Sequence, residues 1–146
     1  ERGNAPSSIT FETNGTQKLK DTTKEFLTDK EQEVFFSVSP KLWTVAGEKS
    51  AKAIKPEVVA EYKDTRNLGQ LKFVMGHKDR EWEELDTVIA QFRDVGVDWP
   101  IWIMPVGARE EEQNVTAGEV ARKAFQRGYN VAARVHVHLF GNLIGT

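Results

Sequence analysis

The chain has 146 residues, with 20 Lys and Arg against 22 Asp and Glu and a hydrophobic fraction of 39%. That is enough to bury one core, and it provides no basic footprint for direct nucleic-acid binding. Cysteine is absent, which excludes disulfides, thiolate nucleophiles, zinc-thiolate sites and ordinary iron-sulfur ligation for this chain alone. No apolar run approaches the length needed to cross a bilayer, so a single cytoplasmic domain over residues 1–146, without a membrane segment, is the expectation. The chain opens on Glu1, and residues 1–8 carry neither the basic flank nor the apolar stretch of a signal peptide. Truncation, a split gene or processing of a longer product would each give such a start.

Ile9-Thr10-Phe11-Glu12-Thr13 alternates and is rich in β-formers, and Asn14-Gly15 after it favours positive φ, so a strand and a tight turn are predicted. Polar residues 17–23 and a short Glu25-Phe26-Leu27 patch lead to Val34-Phe35-Phe36-Ser37-Val38-Ser39, which reads as a strand buried on both faces and ending at Pro40. A loop is expected over 42–54. Pro56 at a helical first position, with Glu57 beside it, then opens a helix over 56–62. Leu71 to Met75 is a third strand. After Asp79, the spacing of Trp82, Leu85, Val88, Ile89 and Phe92 predicts a helix over 79–95. Trp99 to Met104 reads as a fourth buried strand closed by Pro105 and Gly107, and Thr116 with Glu119 supplies a capping box for a helix over 116–127 that stops at Gly128. A last strand is expected over 130–139, with Arg134, His136 and His138 on one face.

Strands alternating with helices imply right-handed βα units and a mostly parallel sheet. Five strands suffice for a partial, incomplete TIM-like barrel with helices outside it, and for a closed eight-stranded barrel they do not. In such folds reactive groups gather at the carboxyl ends of the strands. Here those ends supply Glu12 to Thr16, Ser37 to Lys41, Gly76 to Asp79, Met104 to Gly107, and His136 to Asn142.

Ser39-Pro40-Lys41 sets a hydroxyl and an ammonium around a fixed φ, which suits a ligand carboxylate or ribose and equally describes a strand-end turn with a solvated lysine. Glu12 could accept hydrogen bonds from a ribose or an amine, or cap local backbone. His136 and His138 form an incomplete metal set, and Arg134 beside them favours an anionic ligand over a cation. Four tryptophans, Trp43, Trp82, Trp99 and Trp102, lack an accompanying basic stripe and are assigned to core and rim. No nucleophile elbow and no phosphate-loop glycine spacing is present.

In order and approximate spacing the strand ends resemble a known family. Glu12-Thr13-Asn14-Gly15-Thr16, Ser37-Val38-Ser39-Pro40-Lys41, Leu71-Lys72-Phe73-Val74, Ile103-Met104-Pro105-Val106-Gly107, and Arg134-Val135-His136 through Leu139-Phe140-Gly141 to Gly145-Thr146 are similar to the C-terminal half of the 7-carboxy-7-deazaguanine synthases, which are radical S-adenosylmethionine (SAM) enzymes. The resemblance implies the C-terminal portion of a radical SAM core. The implied reaction converts 6-carboxy-5,6,7,8-tetrahydropterin to 7-carboxy-7-deazaguanine by radical ring contraction with loss of ammonia, using SAM, a 4Fe-4S cluster and Mg. It further implies that Glu12, Thr13, Ser39 and Lys41 border SAM, and that Arg134, His136 and the Thr146 carboxylate approach the pterin.

The cluster-binding cysteines and the Gly-Gly-Glu-Pro motif of the family belong upstream of Glu1. This chain by itself is therefore expected to be inactive, and completion by an N-terminal partner, or self-association through an unpaired edge at the first strand, is the expectation. Two other classes stay open: a non-catalytic α/β module binding a nucleotide or pterin, and an interaction subunit whose polar strand ends are solvated.

Overall fold

The structure is a computed structural model that describes residues 6–28, 32–107 and 110–133. In chain order its elements are β1 (Ser8–Thr13), α1 (Asp21–Leu27), β2 (Glu33–Val38), α2 (Trp43–Ala46), α3 (Ser50–Ala53), α4 (Pro56–Thr65), β3 (Gly69–Met75), α5 (Asp79–Asp94), β4 (Ile101–Pro105), α6 (Glu110–Gln126) and β5 (Asn130–Val131). The strands form one open sheet in the order β1-β2-β3-β4-β5, and every neighbouring pair is parallel. The α/β class and the parallel sheet expected from the sequence are both present.

Strand order that follows chain order has a geometric consequence. Crossovers between parallel strands are right-handed, so connections that always step to the same side leave their helices on the same face of the sheet. Burial agrees with this. Val34, Phe36, Val38, Leu71, Phe73, Met75, Ile101 and Ile103 alternate along β2, β3 and β4 and join one core with Val58, Val59 and Tyr62 of α4, the apolar face of α5, and Val120 and Ala124 of α6. Their neighbours on the opposite face, Lys72, Val74, Trp102 and Met104, are only half-buried. Phe35 is half-buried too, while Ser37 beside it on that face is buried, so the expectation that β2 is covered on both sides holds only in part; among the described residues, the helices pack on one face of the sheet.

The core is organised around Phe36, whose ring stacks at 5.3 Å on Phe11, 4.9 Å on Tyr62 and 6.2 Å on Trp99, measured between centroids. Such offset aromatic contacts add about 0.5–1.5 kcal/mol each beyond area burial. On α5, Trp82, Leu85, Val88, Ile89 and Phe92 are all buried, as their spacing predicts. Trp82 also donates its indole N–H to the Gly76 carbonyl at 3.0 Å, tying the helix to the end of β3. Trp99 belongs to the core and Trp102 to the half-buried rim, while Trp43 is 54% exposed.

Several boundaries differ from the sequence expectation. Helix α6 begins at Glu110, so Thr116 and Glu119 lie inside the helix and do not cap it. Residues 110–115 therefore belong to the helix, with no apolar periodicity in the sequence to announce them. The stretch expected as loop contains the short helices α2 and α3, and α1 occupies part of the polar segment before β2. Only the first two residues of the last strand, Asn130 and Val131, fall within the described part of β5. Among the described residues, no helix is long and apolar enough to cross a membrane, and β1 pairs on one side only.

Candidate functional site

The register brings polar residues of β1, β2 and β3 onto the face that carries no helix among the described residues. Glu12 pairs with Ser37 and Ser37 with Gln70, so by alternation Lys72 and Val74 share that face, and Val74 pairs with Met104. At the carboxyl ends these side chains line a cleft of about 580 Å³ with Glu12, Thr13, Asn14, Ser37, Ser39, Lys41, Lys72, Val74 and Met104. All four residues proposed from the sequence for one ligand, Glu12, Thr13, Ser39 and Lys41, border this one cleft.

Their roles differ. Glu12 is exposed on β1 with Lys72 Nζ 3.8 Å away, a loose ion pair that leaves the carboxylate free to accept from a ligand. Thr13 lies on the opposite parity, in register with the buried Val38, and its Oγ1 accepts the Gly15 amide at 3.1 Å. It therefore shapes the turn more than it offers a hydroxyl. Asn14 accepts from both the Thr16 amide at 3.2 Å and the Thr16 hydroxyl at 2.8 Å, while Gly15 takes φ 76°, the positive value the Asn-Gly pair predicts.

The β2 end is held just as firmly. Ser39 donates its amide to the Thr13 carbonyl at 2.7 Å, Pro40 and Leu42 are buried on either side of the exposed Lys41, and the Ser37 hydroxyl accepts from Gln70 Nε2 at 3.0 Å. Lys41 also borders two adjoining clefts. One, about 310 Å³, includes Pro40, Leu42, Val45, Val74 and Val106 together with Glu48. The other is polar, about 220 Å³, and includes Asn14, Thr16, Glu48 and Lys52.

Sequence reasoning missed Lys72 as a cleft residue. The signal was there: a lone charge within Leu71-Lys72-Phe73-Val74-Met75 has to face away from the core that its neighbours fill. Arg134, His136 and Thr146, proposed for a second ligand, lie outside the described residues, as does His138. Among the described residues no three His, Asp or Glu side chains converge as a metal site.

The cleft combines two ammonium groups, a carboxylate, hydroxyls and an apolar shelf formed by Val74 and Met104. That set can hold a polar, partly aromatic ligand bearing both hydroxyls and an anionic group. Comparison of the chain with family models, with curated proteins and with solved structures returns no match.

Proposed function

We propose that the strand-end cleft is a SAM site and that the chain is the C-terminal portion of a radical SAM core, a partial barrel of the 7-carboxy-7-deazaguanine synthase type. The observation that carries the reading is the convergence of Glu12, Ser39 and Lys41 with Lys72, Val74 and Met104 around one cleft at the carboxyl ends of the strands. Val74 and Met104 offer apolar contact to a base, Glu12 accepts from ribose hydroxyls or an amine, and Lys41 or Lys72 meets a carboxylate. Thr13 contributes through the turn it stabilises.

With a reductant provided elsewhere, the chemistry such a ligand supplies is radical initiation of ring contraction, from 6-carboxy-5,6,7,8-tetrahydropterin to 7-carboxy-7-deazaguanine with loss of ammonia. In this reading Arg134, His136 and the Thr146 carboxylate serve the pterin. A 4Fe-4S cluster does not fit this chain, which has no cysteine, and the described residues offer no ligand set for Mg. The cluster therefore belongs to a separate cysteine-bearing segment, and the open side of β1 is the edge at which a completing strand would pair.

A second reading is favoured by the same lack of cysteine: an α/β module that binds a nucleotide or pterin without turning it over. Calorimetry with SAM tests what the two readings share. Lys41→Ala is expected to weaken binding about tenfold to hundredfold, as loss of a charge-assisted hydrogen bond of about 1.5–3 kcal/mol implies, with Lys41→Arg weakened less. Unchanged affinity in Lys41→Ala refutes the site. Ammonia and deazapurine formation after mixing with a cysteine-bearing N-terminal half identifies the enzyme, and binding without turnover in that mixture identifies the module.

A further inference from the structure

The turn that carries Lys41 runs directly into α2, and α2 lacks a cap of its own. Leu42 stands at its N-cap position, has no side-chain acceptor to offer, and is committed to the core at 2% exposure. The first amides of the helix would be left without partners. Instead they are taken by a carboxylate 40 residues away in the chain: Glu84 Oε1 accepts from the Trp43 amide at 2.8 Å, and Glu84 Oε2 accepts from the Thr44 amide at 2.8 Å. The Thr44 hydroxyl donates to the same Oε2 at 2.5 Å.

Glu84 sits on α5 between Trp82 and Leu85, which are 1% and 0% exposed. Its backbone is therefore set by the core. On the other side of Lys41, the Ser39 amide is bound to the Thr13 carbonyl. The backbone of residues 39–44 is thus pinned at both ends, and Lys41 is the exposed residue in the middle, at the junction of three clefts.

A Ser, Thr or Asp at position 42 could cap α2 locally only by giving up the buried Leu42 side chain. A cap supplied from α5 does something different: it fixes the turn relative to the helical layer, and hence relative to β3 and the cleft wall. We propose that Glu84 is a positioning residue for Lys41, acting through α2, and that ligand affinity in the cleft depends on it. This inference rests on the reading of Lys41 as a ligand-binding residue.

Two measurements on the full chain separate the inference from that reading. The first is amide hydrogen exchange over residues 40–47, which needs no ligand. In Glu84→Ala, exchange at Trp43 and Thr44 is expected to rise about tenfold with little change in the slowest core amides, and Glu84→Gln is expected to restore part of the protection. Thr44→Val, which removes one of the three bonds and keeps the side-chain shape, provides a milder variant should Glu84→Ala fold poorly. Unchanged exchange in these variants overturns the inference.

The second is a double-mutant cycle in SAM affinity. Glu84→Ala is expected to weaken binding about tenfold in the parent and to add nothing in a Lys41→Ala background, because its effect passes through Lys41. Full additivity, or loss of affinity in Lys41→Ala with none in Glu84→Ala, overturns the inference and leaves the site reading intact. If Lys41→Ala has no effect, or the parent does not bind SAM, the site reading fails, and with it the claim that affinity depends on Glu84. The exchange result then stands only for the anchoring of the turn.

Discussion

The guanidinium of Arg127, at the end of α6, lies over the ring of Trp82 on α5, with its central carbon 4.8 Å from the ring centroid. The same group forks onto Asp86, Nε to Oδ1 at 3.0 Å and Nη2 to Oδ2 at 3.0 Å. A lysine can keep the charge but reproduces neither the fork nor the stacked plane. Arg127→Lys is therefore expected to lower stability by about 0.5–1 kcal/mol, or about 2–4 °C in Tm, read from thermal and denaturant unfolding. An unchanged midpoint would mean that the fork onto Asp86 and the stacking on Trp82 add nothing to stability.

Two exposed carboxylates give the protein an acid-side dependence. Asp79 is held below the usual carboxylate value of 3.8 by its hydrogen bond to Lys123, and Asp98 by its hydrogen bond to Lys63. A depressed folded-state pKa contributes stability that is present above the unfolded value and is lost as pH falls from 3.8 through the folded value. Lys63→Met and Lys123→Met are each expected to unfold at higher pH than the parent in an acid titration followed by circular dichroism. Both groups are solvated, so the shift should shrink in high salt.

Gly15→Ala should be costly although the residue sits in a turn. Its φ is 76°, and an added Cβ would lie 2.8 Å from Val38 Cγ1 and 2.9 Å from Val59 Cγ2, two side chains already in the core. Strain and overpacking together are expected to cost about 1–3 kcal/mol. Because Asn14 and Thr16 flank the glycine at the cleft, SAM affinity should fall in the same variant, as calorimetry would show.

The Tyr62 hydroxyl donates to the Gln17 carbonyl from a side chain that is 2% exposed. Burial pushes this phenol above its ordinary value of 10.0, against the opposing pull of a hydrogen bond with Thr13. A raised folded-state pKa gives stability that is complete below the unfolded value and is lost as pH rises through the folded one. Tyr62→Phe is expected to cost about 0.5–1.5 kcal/mol at neutral pH, and to remove this residue's part of alkaline unfolding. A parent and variant with the same alkaline midpoint would contradict that assignment.

Much of this architecture is visible in the sequence because burial on one face imposes a short period. Leu71, Phe73 and Met75 alternate, and Trp82, Leu85, Val88, Ile89 and Phe92 recur at three and four, so β3 and α5 announce themselves. Elements stabilised by other means do not. The first turn of α6 is acidic, α1 buries only Leu27, and α2 owes its beginning to Glu84, a partner that no local pattern can reveal. The cleft follows the same division. Glu12, Ser39 and Lys41 were found because strand ends are where such folds gather polar groups, whereas Lys72 entered through register, which depends on which strands become neighbours.

The sheet is a queue. Ile9 pairs with Val34, Phe36 with Gly69, Leu71 with Ile101 and Ile103 with Val131, so each pairing joins strands adjacent in the chain and closes a loop of about 25–35 residues, with no described strand pairing waiting for a more distant strand to arrive. During synthesis each new βα unit can dock on the one before it as it emerges, and the growing edge is always the latest strand. Accretion of this kind would make the order of the chain the order of assembly. Among the described strands, it would also leave the outer side of β1 as the one surface that none of the later arrivals covers.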